Sequence, residues 1–404
     1  MKKLFFLLMM ALLPLAVSAE ERVFIGEFQY ELISNSEAYL RYIPEDFSGD
    51  LVIPGHVVYN ETTYTVIGIL DNIDRKGITS ITIPSTFDGV GGVFKGCTSV
   101  AKITYHSKKA SSLGLGFNDH VKEVVLGSEV KEISSNAFEG YTALSSIIIP
   151  ESVDTIRFAA FQYCTSLSSS IVFPDGLKCI ADNAFKGCTG LTDISFSETV
   201  DSIGIGAFGG CNNLKYVALP TKVRSIGHHA FSECTGLTEV KLPERFEKIG
   251  EGAFASSGLT AVTIPDTWEA IPASLFEFCY NLTKIDFGKG VKSIGEHAFR
   301  YSQGPARLHI PPQVTSIGGG AFYACDGILE VYTGDGLTEI ENGFLVGCSP
   351  KSITISPNVT RLAEDAIPAA EVPKIFWLPE TPPEGYQDHR GWYNYVPNEK
   401  YQFE

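Results

Sequence analysis

The stretch Leu219–Lys241 reads LPTKVRSIGHHAFSECTGLTEVK, and its pattern of apolar residues returns down most of the chain. Written generally, the unit is I-P-x-x-V-x-x-I-G-x-x-A-F-x-x-C-x-x-L-x-x-I-x, which is 23 residues long. Its phenylalanine recurs every 22 to 24 residues, at Phe138, Phe161, Phe185, Phe208, Phe231, Phe254, Phe276, Phe299, Phe322 and Phe344, with Phe94 and Phe117 upstream and Ile367 as a degenerate last member. A fixed period of this length indicates one supersecondary unit stacked many times.

Each part of the unit predicts a local structure. The segment L-x-x-I-x-I, here Leu237 to Leu242, alternates apolar and polar residues and predicts a strand with one buried face. The proline that follows, as at Pro220, has no amide hydrogen and ends the ladder at a corner. Val223 and Ile226 then indicate a second, shorter strand on the next side.

The remaining part of the unit predicts a turn. Glycine follows the second isoleucine at Gly204, Gly227, Gly250, Gly295 and Gly318, where we expect positive φ or close backbone approach. Other coils have Ser134, Arg157, Ala181, Pro272 and Glu341 at this place. The spacing of A-F-x-x-C-x-x-L favours a short helical turn with its phenylalanine buried.

This unit resembles the BspA-like leucine-rich repeat of bacterial surface proteins, over roughly residues 78 to 368. The resemblance implies a right-handed solenoid, here of about twelve coils, with export to the cell surface and adhesion to host matrix proteins or other cells. It implies no catalytic residues and no cofactor.

The two ends of the chain depart from the repeat. Residues 1–19 read as a signal peptide, with Lys2 and Lys3 before an apolar run and a small-residue cleavage site at Ala19. Residues 20–77 predict an N-terminal β cap and a first atypical coil, residues 78–368 the solenoid, and residues 369–404 a C-terminal cap. The cap's aromatic residues, such as Trp377 and Trp392, could instead form a sugar-stacking platform.

Net charge bounds the class of partner. The full chain has 31 basic and 47 acidic residues, a net charge of −16, and removal of Lys2 and Lys3 makes it −18. Nucleic acids and anionic membranes bind proteins through basic patches, whereas this chain is acidic, so neither is an expected partner. After Ala19 no stretch reaches transmembrane length, and no membrane insertion is expected.

The nine cysteines predict free thiols more than disulfides. Eight of them occupy the slot three residues after the repeat phenylalanine, with the last one residue late: Cys97, Cys164, Cys188, Cys211, Cys234, Cys279, Cys325 and Cys348. Tyr141, Ser257 and Ser302 fill the same slot elsewhere, as expected of a packing niche. Oxidation between stacked neighbours such as Cys188 and Cys211 stays open.

Signals for chemistry are weak. Gly204–Gly209 matches G-x-G-x-x-G literally, but no βαβ unit surrounds it. His228, His229 and His297 fall at outward turn positions, and no catalytic or metal constellation is present. We therefore expect no enzyme, no metal and no cofactor.

The residues that flank the middle of each long strand predict two outward columns. From Tyr216 onward these columns gain charge and aromatic character, typical of protein interfaces. The candidate ligand-binding residues are Tyr216, Glu239, Lys241, Lys284, Asp286, Arg307, His309 and Tyr332. The sequence predicts an exported adhesin for a host protein or a glycan; the alternatives are a solvated face without a ligand, a structural spacer of the envelope, and an enzyme with a site in a cap.

Overall fold

The computed structural model describes residues 21–168, 170–363, 365–367, 372 and 375–377. The predicted signal peptide and almost all of the predicted C-terminal cap lie outside these residues. The described chain is a β-solenoid of about 12 turns spaced ~23 residues apart, which confirms the repeat architecture. One continuous hydrophobic core extends from Val23 to Ile367.

A five-stranded sheet stands at the N-terminal end. The first six strands are β1 (Glu21–Ile25), β2 (Phe28–Leu32), β3 (Glu37–Tyr42), β4 (Gly49–Val52), β5 (His56–Tyr59) and β6 (Thr62–Ile69). The sheet has the order β1-β2-β3-β6-β5, and β4 belongs to the solenoid. β2 and β3 form an antiparallel hairpin, and Ser34–Ser36 lie in its turn. β1 and β2 are also antiparallel, and Gly26, with a φ of 62°, turns the chain between them.

The coils form two rows of parallel strands. In chain order their strands are β7 (Ile78–Ile83), β8 (Lys102–Tyr105), β9 (Lys109–Ala110), β10 (Glu123–Leu126), β11 (Glu132–Ile133), β12 (Thr155–Ile156), β13 (Ile171–Val172), β14 (Cys179–Ile180), β15 (Ile194–Ser195), β16 (Ser202–Ile203), β17 (Tyr216–Ala218), β18 (Ser225–Ile226), β19 (Glu239–Lys241), β20 (Lys248–Ile249), β21 (Ala261–Thr263), β22 (Ala270–Ile271), β23 (Lys284–Asp286), β24 (Ser293–Ile294), β25 (Arg307–His309), β26 (Ser316–Ile317), β27 (Glu330–Tyr332), β28 (Glu339–Ile340), β29 (Ser352–Ile355), β30 (Arg361–Leu362) and β31 (Ile375–Trp377). The first row, here called the strand face, contains β4, β7, β8, β10 and the odd-numbered strands from β13 to β31. The second row contains β9, β11 and the even-numbered strands from β12 to β30.

Register repeats from coil to coil. Val217 lies opposite Val240 on the strand face, and Ile203 lies opposite Ile226 in the second row. Proline closes the corner between the rows, because its carbonyl accepts a hydrogen bond from the amide three residues later, as in Val314 to Pro311 at 3.0 Å. Equivalent apolar positions therefore stack directly above one another.

The predicted short helical turn is wrong: the described residues contain no helix. The amide of Phe231 donates to the carbonyl of Ala253 in the next coil, at 2.8 Å, and not to a residue one turn earlier in its own coil. The residues two before and two after Phe231, His229 and Glu233, have φ values of 55° and 59°. Left-handed residues on both sides interrupt any right-handed helix, so this side, here called the turn face, is a stack of turns.

Close packing, and not positive φ, explains the glycine after the second isoleucine. Gly204, Gly227 and Gly250 have no left-handed φ. A Cβ built on Gly227 would lie 2.5 Å from the carbonyl carbon of Gly204 in the preceding coil. Glycine at this place lets two backbones approach, which was one of the two predicted reasons.

The repeat phenylalanines form a continuous stack of rings. Neighbouring rings from Phe138 to Phe322 lie 4.9 to 6.0 Å apart, and the pair Phe185 and Phe208 is almost parallel, at 5.3 Å and 1°. Each of these rings is fully buried. The sequence prediction of a shared aromatic spine is confirmed over these coils.

Two predicted members of the spine are wrong. Phe117 is 71% exposed and its ring packs outside, over Gly140, while Leu113 is buried in that coil. Phe344 is buried, but the amide of Leu345, not that of Phe344, donates to the carbonyl of Ala366, so Leu345 holds the phenylalanine place. Phe344 takes the alanine place and meets Phe322 edge-on at 89°.

All nine cysteines are free thiols. Cys211 donates its thiol hydrogen to the carbonyl of Phe185 at 3.3 Å, and Ser302 donates from the same slot to Phe276 at 2.7 Å. Cys348 is not one residue late, because it lies three residues after Leu345 and donates to Phe322 at 3.0 Å. The slot selects small side chains that can donate one hydrogen bond. Tyr141 fits it without a hydrogen-bond partner for its hydroxyl.

Candidate binding face

The candidate residues project outward from the strand face because the middle residue of each strand points into the core. Val240 and Leu308 are buried, whereas their neighbours are exposed. Seven of the eight predicted ligand-binding residues are exposed and Tyr332 is half-buried: Tyr216, Glu239, Lys241, Lys284, Asp286, Arg307, His309 and Tyr332. The alternation of apolar and polar residues along these strands therefore predicted correctly that these side chains point out of the core.

These residues fall into three strand groups. Tyr216 lies opposite Glu239 in the pair β17 and β19, and Lys284 and Asp286 lie on β23, which pairs with β21. Turn hydrogen bonds, such as the amide of Thr260 to the carbonyl of Thr238 at 3.3 Å, join the first two groups. The described ladders do not pair β23 with β25, so Arg307 and its neighbours form a third group.

The third group is held by its own contacts. Arg307 forms an ion pair with Glu330 at 3.0 Å, and the rings of His309 and Tyr332 meet edge-on at 4.8 Å. Tyr332 donates its hydroxyl hydrogen to Asp335 at 2.6 Å. Burial, followed by this hydrogen bond and the charge of Asp335, raises the pKa of Tyr332 to about 12, so it remains a phenol at neutral pH.

The first two groups keep their charges available. The side chains of Glu239, Lys241, Lys284 and Asp286 form no ion pair or hydrogen bond with any residue that the structure describes. Two acidic and two basic groups thus stand on β19 and β23, with β21 between them, and none has a partner among the described residues. Such an arrangement can recognise a partner with complementary charges.

The earlier half of the strand face is apolar, a feature that the prediction left aside. Val52, Val125, Ile148 and Val172 are 60%, 37%, 84% and 66% exposed. Lys102 and Glu123 pair beside them at 2.8 Å. The signal was present in the sequence, because β-branched residues occupy outward positions of these strands, but their exposure depends on whether a neighbouring segment covers them.

The turn face carries residues that the sequence reasoning missed. Tyr163, Phe278 and Tyr301 stand two residues after their repeat phenylalanines, in left-handed conformation. Phe278 and Tyr301 stack at 5.1 Å, and the guanidinium of Arg300 lies 4.9 Å from the centre of the Tyr301 ring. A bulky residue at this position, where other coils have glycine, was the available signal.

The other candidate sites do not assemble. His228 and His229 are adjacent in one coil, and His297 lies three coils later. No three His, Cys, Asp or Glu side chains of the described residues are grouped to hold a metal ion. Gly204–Gly209 lies in an ordinary turn between β16 and β17, without a helix.

Two of the buried cysteines, Cys164 and Cys234, have thiols of low reactivity. Burial raises the pKa of the Cys164 and Cys234 thiols from 9.0 to about 12. A protonated, buried thiol is a poor nucleophile, so these residues serve packing.

No helix of the described residues is long and apolar enough to cross a membrane.

Comparison with known proteins identifies the repeat. The family described as BspA type leucine rich repeat region matches in 6 copies, over residues 73–168, 159–277 and 247–370. A solved leucine-rich repeat protein from Bacteroides ovatus is 23% identical, with a TM-score of 0.52, and the alignment covers 82% of this chain and 94% of that one. A solved leucine rich cell surface protein from Faecalibacterium prausnitzii is 24% identical, with a TM-score of 0.46 and coverage of 88% and 94%. No curated protein sequence matches the chain significantly.

The family match spans residues 73 to 370, which is most of the stack of coils, and the fold agrees with the first of these structures. The chain belongs to the BspA type leucine rich repeat family.

Proposed function

We propose that this protein is an exported, non-catalytic adhesin that binds another macromolecule through its strand face. The carrying observation is the group of four charged side chains, Glu239, Lys241, Lys284 and Asp286, that have no internal partner among the described residues. Rigid parallel strands hold them in a fixed pattern. A preorganised pattern lowers the entropy cost of binding.

The partner is a host matrix or cell-surface protein, with a glycan as the second choice. Charges of both signs alternate along this surface and aromatic Tyr216 borders it, a composition that suits a protein surface of complementary pattern. The net charge of −16 has the same sign as nucleic acids and anionic membranes, so electrostatic repulsion disfavours both as partners.

Export follows from the predicted signal peptide. If it is cleaved after Ala19, the protein on the producing cell begins at Glu20. Sequencing the N-terminus of protein recovered from the cell surface and the medium tests this step, and an intact Met1 on that protein would contradict it.

Charge reversal tests the binding face. The triple variant Lys241→Glu, Lys284→Glu and Arg307→Glu should lose at least tenfold in affinity on an array of matrix proteins, because three attractive contacts become repulsive. A matched triple, Lys178→Glu, Lys222→Glu and Lys248→Glu, makes the same charge change at exposed positions away from the strand face and should keep its affinity.

A structural spacer is the second candidate, favoured by the regular rod of stacked coils. Under this function the strand face is only a solvated surface, and both triple variants would behave alike. Equal adhesion of the two triples, or no retention of the native protein on protein and glycan arrays, would therefore favour the spacer.

A further inference from the structure

A groove crosses the turn face, on a different side of the coils from the strand face. Its volume is about 580 Å³. Gly206, Gly209 and Gly210 form part of its floor, between the coils of Tyr163 and Phe278. Five coil spacings of ~4.8 Å each separate its ends, so the groove is roughly 24 Å long.

Aromatic rings stand at both ends of this groove. Tyr163 is 40% exposed and lies over Gly187, where an added Cβ would come within 2.5 Å of its ring. Phe117 extends that platform by stacking on Tyr163, with ring centres 6.4 Å apart. At the other end Phe278 stacks on Tyr301. Each end thus offers a fixed, partly exposed aromatic surface.

Polar side chains between the ends are available to a ligand. Asn183, Lys186, His229 and Glu233 line the groove and form no side-chain hydrogen bond or ion pair with the described part of the chain. Together they offer an amide, an ammonium, an imidazole and a carboxylate, which supply both donors and acceptors.

The backbone of the floor argues against a peptide ligand. Extended peptides bind edges of sheets through main-chain hydrogen bonds. Here the amide of Gly206 already donates to the carbonyl of His228 at 2.9 Å, and that of Gly210 to Ser232 at 2.8 Å. Because these amides already donate to the next coil, they are not available to form main-chain hydrogen bonds with an extended peptide.

The charge of the groove argues against an anionic glycan. Lys186, Glu233 and Glu277 all line the groove, and the nearby guanidinium of Arg300 is already held by Glu277 at 3.2 Å. A sulfated or carboxylated chain would meet two carboxylates and one available ammonium. Neutral sugars avoid this repulsion, since their hydroxyls use the polar groups and their C–H faces pack on aromatic rings.

We propose that the groove between Tyr163 and Phe278 binds a neutral oligosaccharide, with a sugar stacked at each aromatic end and hydroxyls bonded to Asn183, His229 and Glu233. This site is separate from the strand face and does not depend on the function proposed for that face.

Titration calorimetry of the full mature protein tests the site with laminarihexaose, cellohexaose and mannohexaose as neutral probes, and with a heparin hexasaccharide and a gelatin peptide pool as contrasts. We expect at least one neutral hexasaccharide to bind and the two contrasts not to bind. Tyr163→Ala and Phe278→Ala should each weaken that affinity about tenfold, whereas Tyr163→Phe, which keeps the ring, should retain it.

Two controls separate this site from a general effect on folding or on the strand face. Phe24→Ala removes an aromatic ring that is 61% exposed in the N-terminal sheet and should leave the affinity unchanged. The strand-face triple variant should also bind the sugar normally. Binding of heparin or peptide in place of neutral sugar, or binding of no probe, would overturn the proposal. Native affinity for the sugar in the Tyr163→Ala and Phe278→Ala variants would overturn it as well.

Discussion

At the scale of single residues, the coil depends on small side chains at points of backbone contact. Gly227 and Gly319 stand near each other in the repeat unit but differ in their surroundings. A Cβ on Gly227 would meet the backbone of Gly204 at 2.5 Å, whereas one on Gly319 would meet only the carbonyl oxygen of Asn342 at 3.4 Å. Gly227 follows the second isoleucine of its coil and Gly319 stands one place later, so one step along the chain separates a crowded position from an open one.

Gly227→Ala should therefore lower the free energy of unfolding by about 1–3 kcal/mol, because a main-chain atom cannot move aside as a side chain can. Gly319→Ala is the control and should change it by less than about 0.5 kcal/mol. Urea unfolding followed by circular dichroism measures both. Equal losses in the two variants would contradict the role of coil-to-coil contact.

The buried thiols predict a loss of stability in alkali. The pKa values of Cys164 and Cys234 are about 12 and that of Cys279 is about 11, against 9.0 for an ordinary thiol, chiefly through burial. Between pH 9 and the raised pKa values, the thiols of the unfolded state have lost their protons while those of the folded state keep them. The free energy of unfolding therefore falls as pH rises above about 9, and these thiols do not affect it at neutral pH.

Replacing Cys164, Cys234 and Cys279 with serine should flatten the loss measured from pH 8.5 to 11, since serine does not titrate there and Ser302 already fills the same slot. The urea midpoint of the native protein and that of the triple-serine variant are measured at each pH. Lysine and tyrosine residues titrate in both proteins, so their effect cancels in the comparison. Parallel curves for the native and the triple-serine protein would rule out the thiols as the cause.

At the scale of the element, the aromatic spine joins one coil to the next. Alternation and period were enough to predict the strands and most buried rings. The exchange of Phe344 and Leu345 was missed because both adjacent apolar residues satisfy the 22-to-24-residue period. The position of Cys348, three residues after Leu345, was the available signal, and the amide bond to Ala366 shows which residue holds the phenylalanine place. The left-handed residues around each phenylalanine were also missed, since asparagine, histidine, glutamate and tyrosine stand there as well as glycine.

Phe208→Ala should lower the free energy of unfolding by about 3–5 kcal/mol, because it removes a fully buried ring that stacks on both neighbours. Phe208→Leu should cost less, since Leu345 fills the equivalent place in a natural coil. Chemical unfolding of the purified variants gives the values.

Phe117→Ala is the matched comparison for this experiment, because the sequence period includes Phe117 while its ring is 71% exposed. It should cost less than about 1 kcal/mol. A loss as large as that of Phe208→Ala would contradict the outward placement of this ring.

At the scale of the whole molecule, the stacked coils form three long sides that differ in their exposed residues: the strand face, the second row of strands and the turn face. The repeat and the family resemblance predicted the solenoid and the outward columns of the strand face. They could not predict the groove on the turn face, because it arises where glycines on neighbouring coils align between Tyr163 and Phe278. Nor could they predict that the described ladders leave β23 and β25 unpaired.

The strand face is the surface on which the proposed function depends. A photoreactive benzoylphenylalanine placed at Glu239, in the middle of the face, can report contact with a partner on living cells. The same group at Lys178, an exposed position beside the second row, serves as the control. Both positions tolerate a large side chain because each projects into solvent.

Photocrosslinking of these two proteins on intact host cells tests strand-face binding most directly, with the products identified by mass spectrometry. The proposed function predicts a discrete crosslinked macromolecule from position 239, absent from position 178 and removed by the strand-face triple charge reversal. Identical crosslinks from both positions, or none from position 239 on cells that retain the protein, would contradict it.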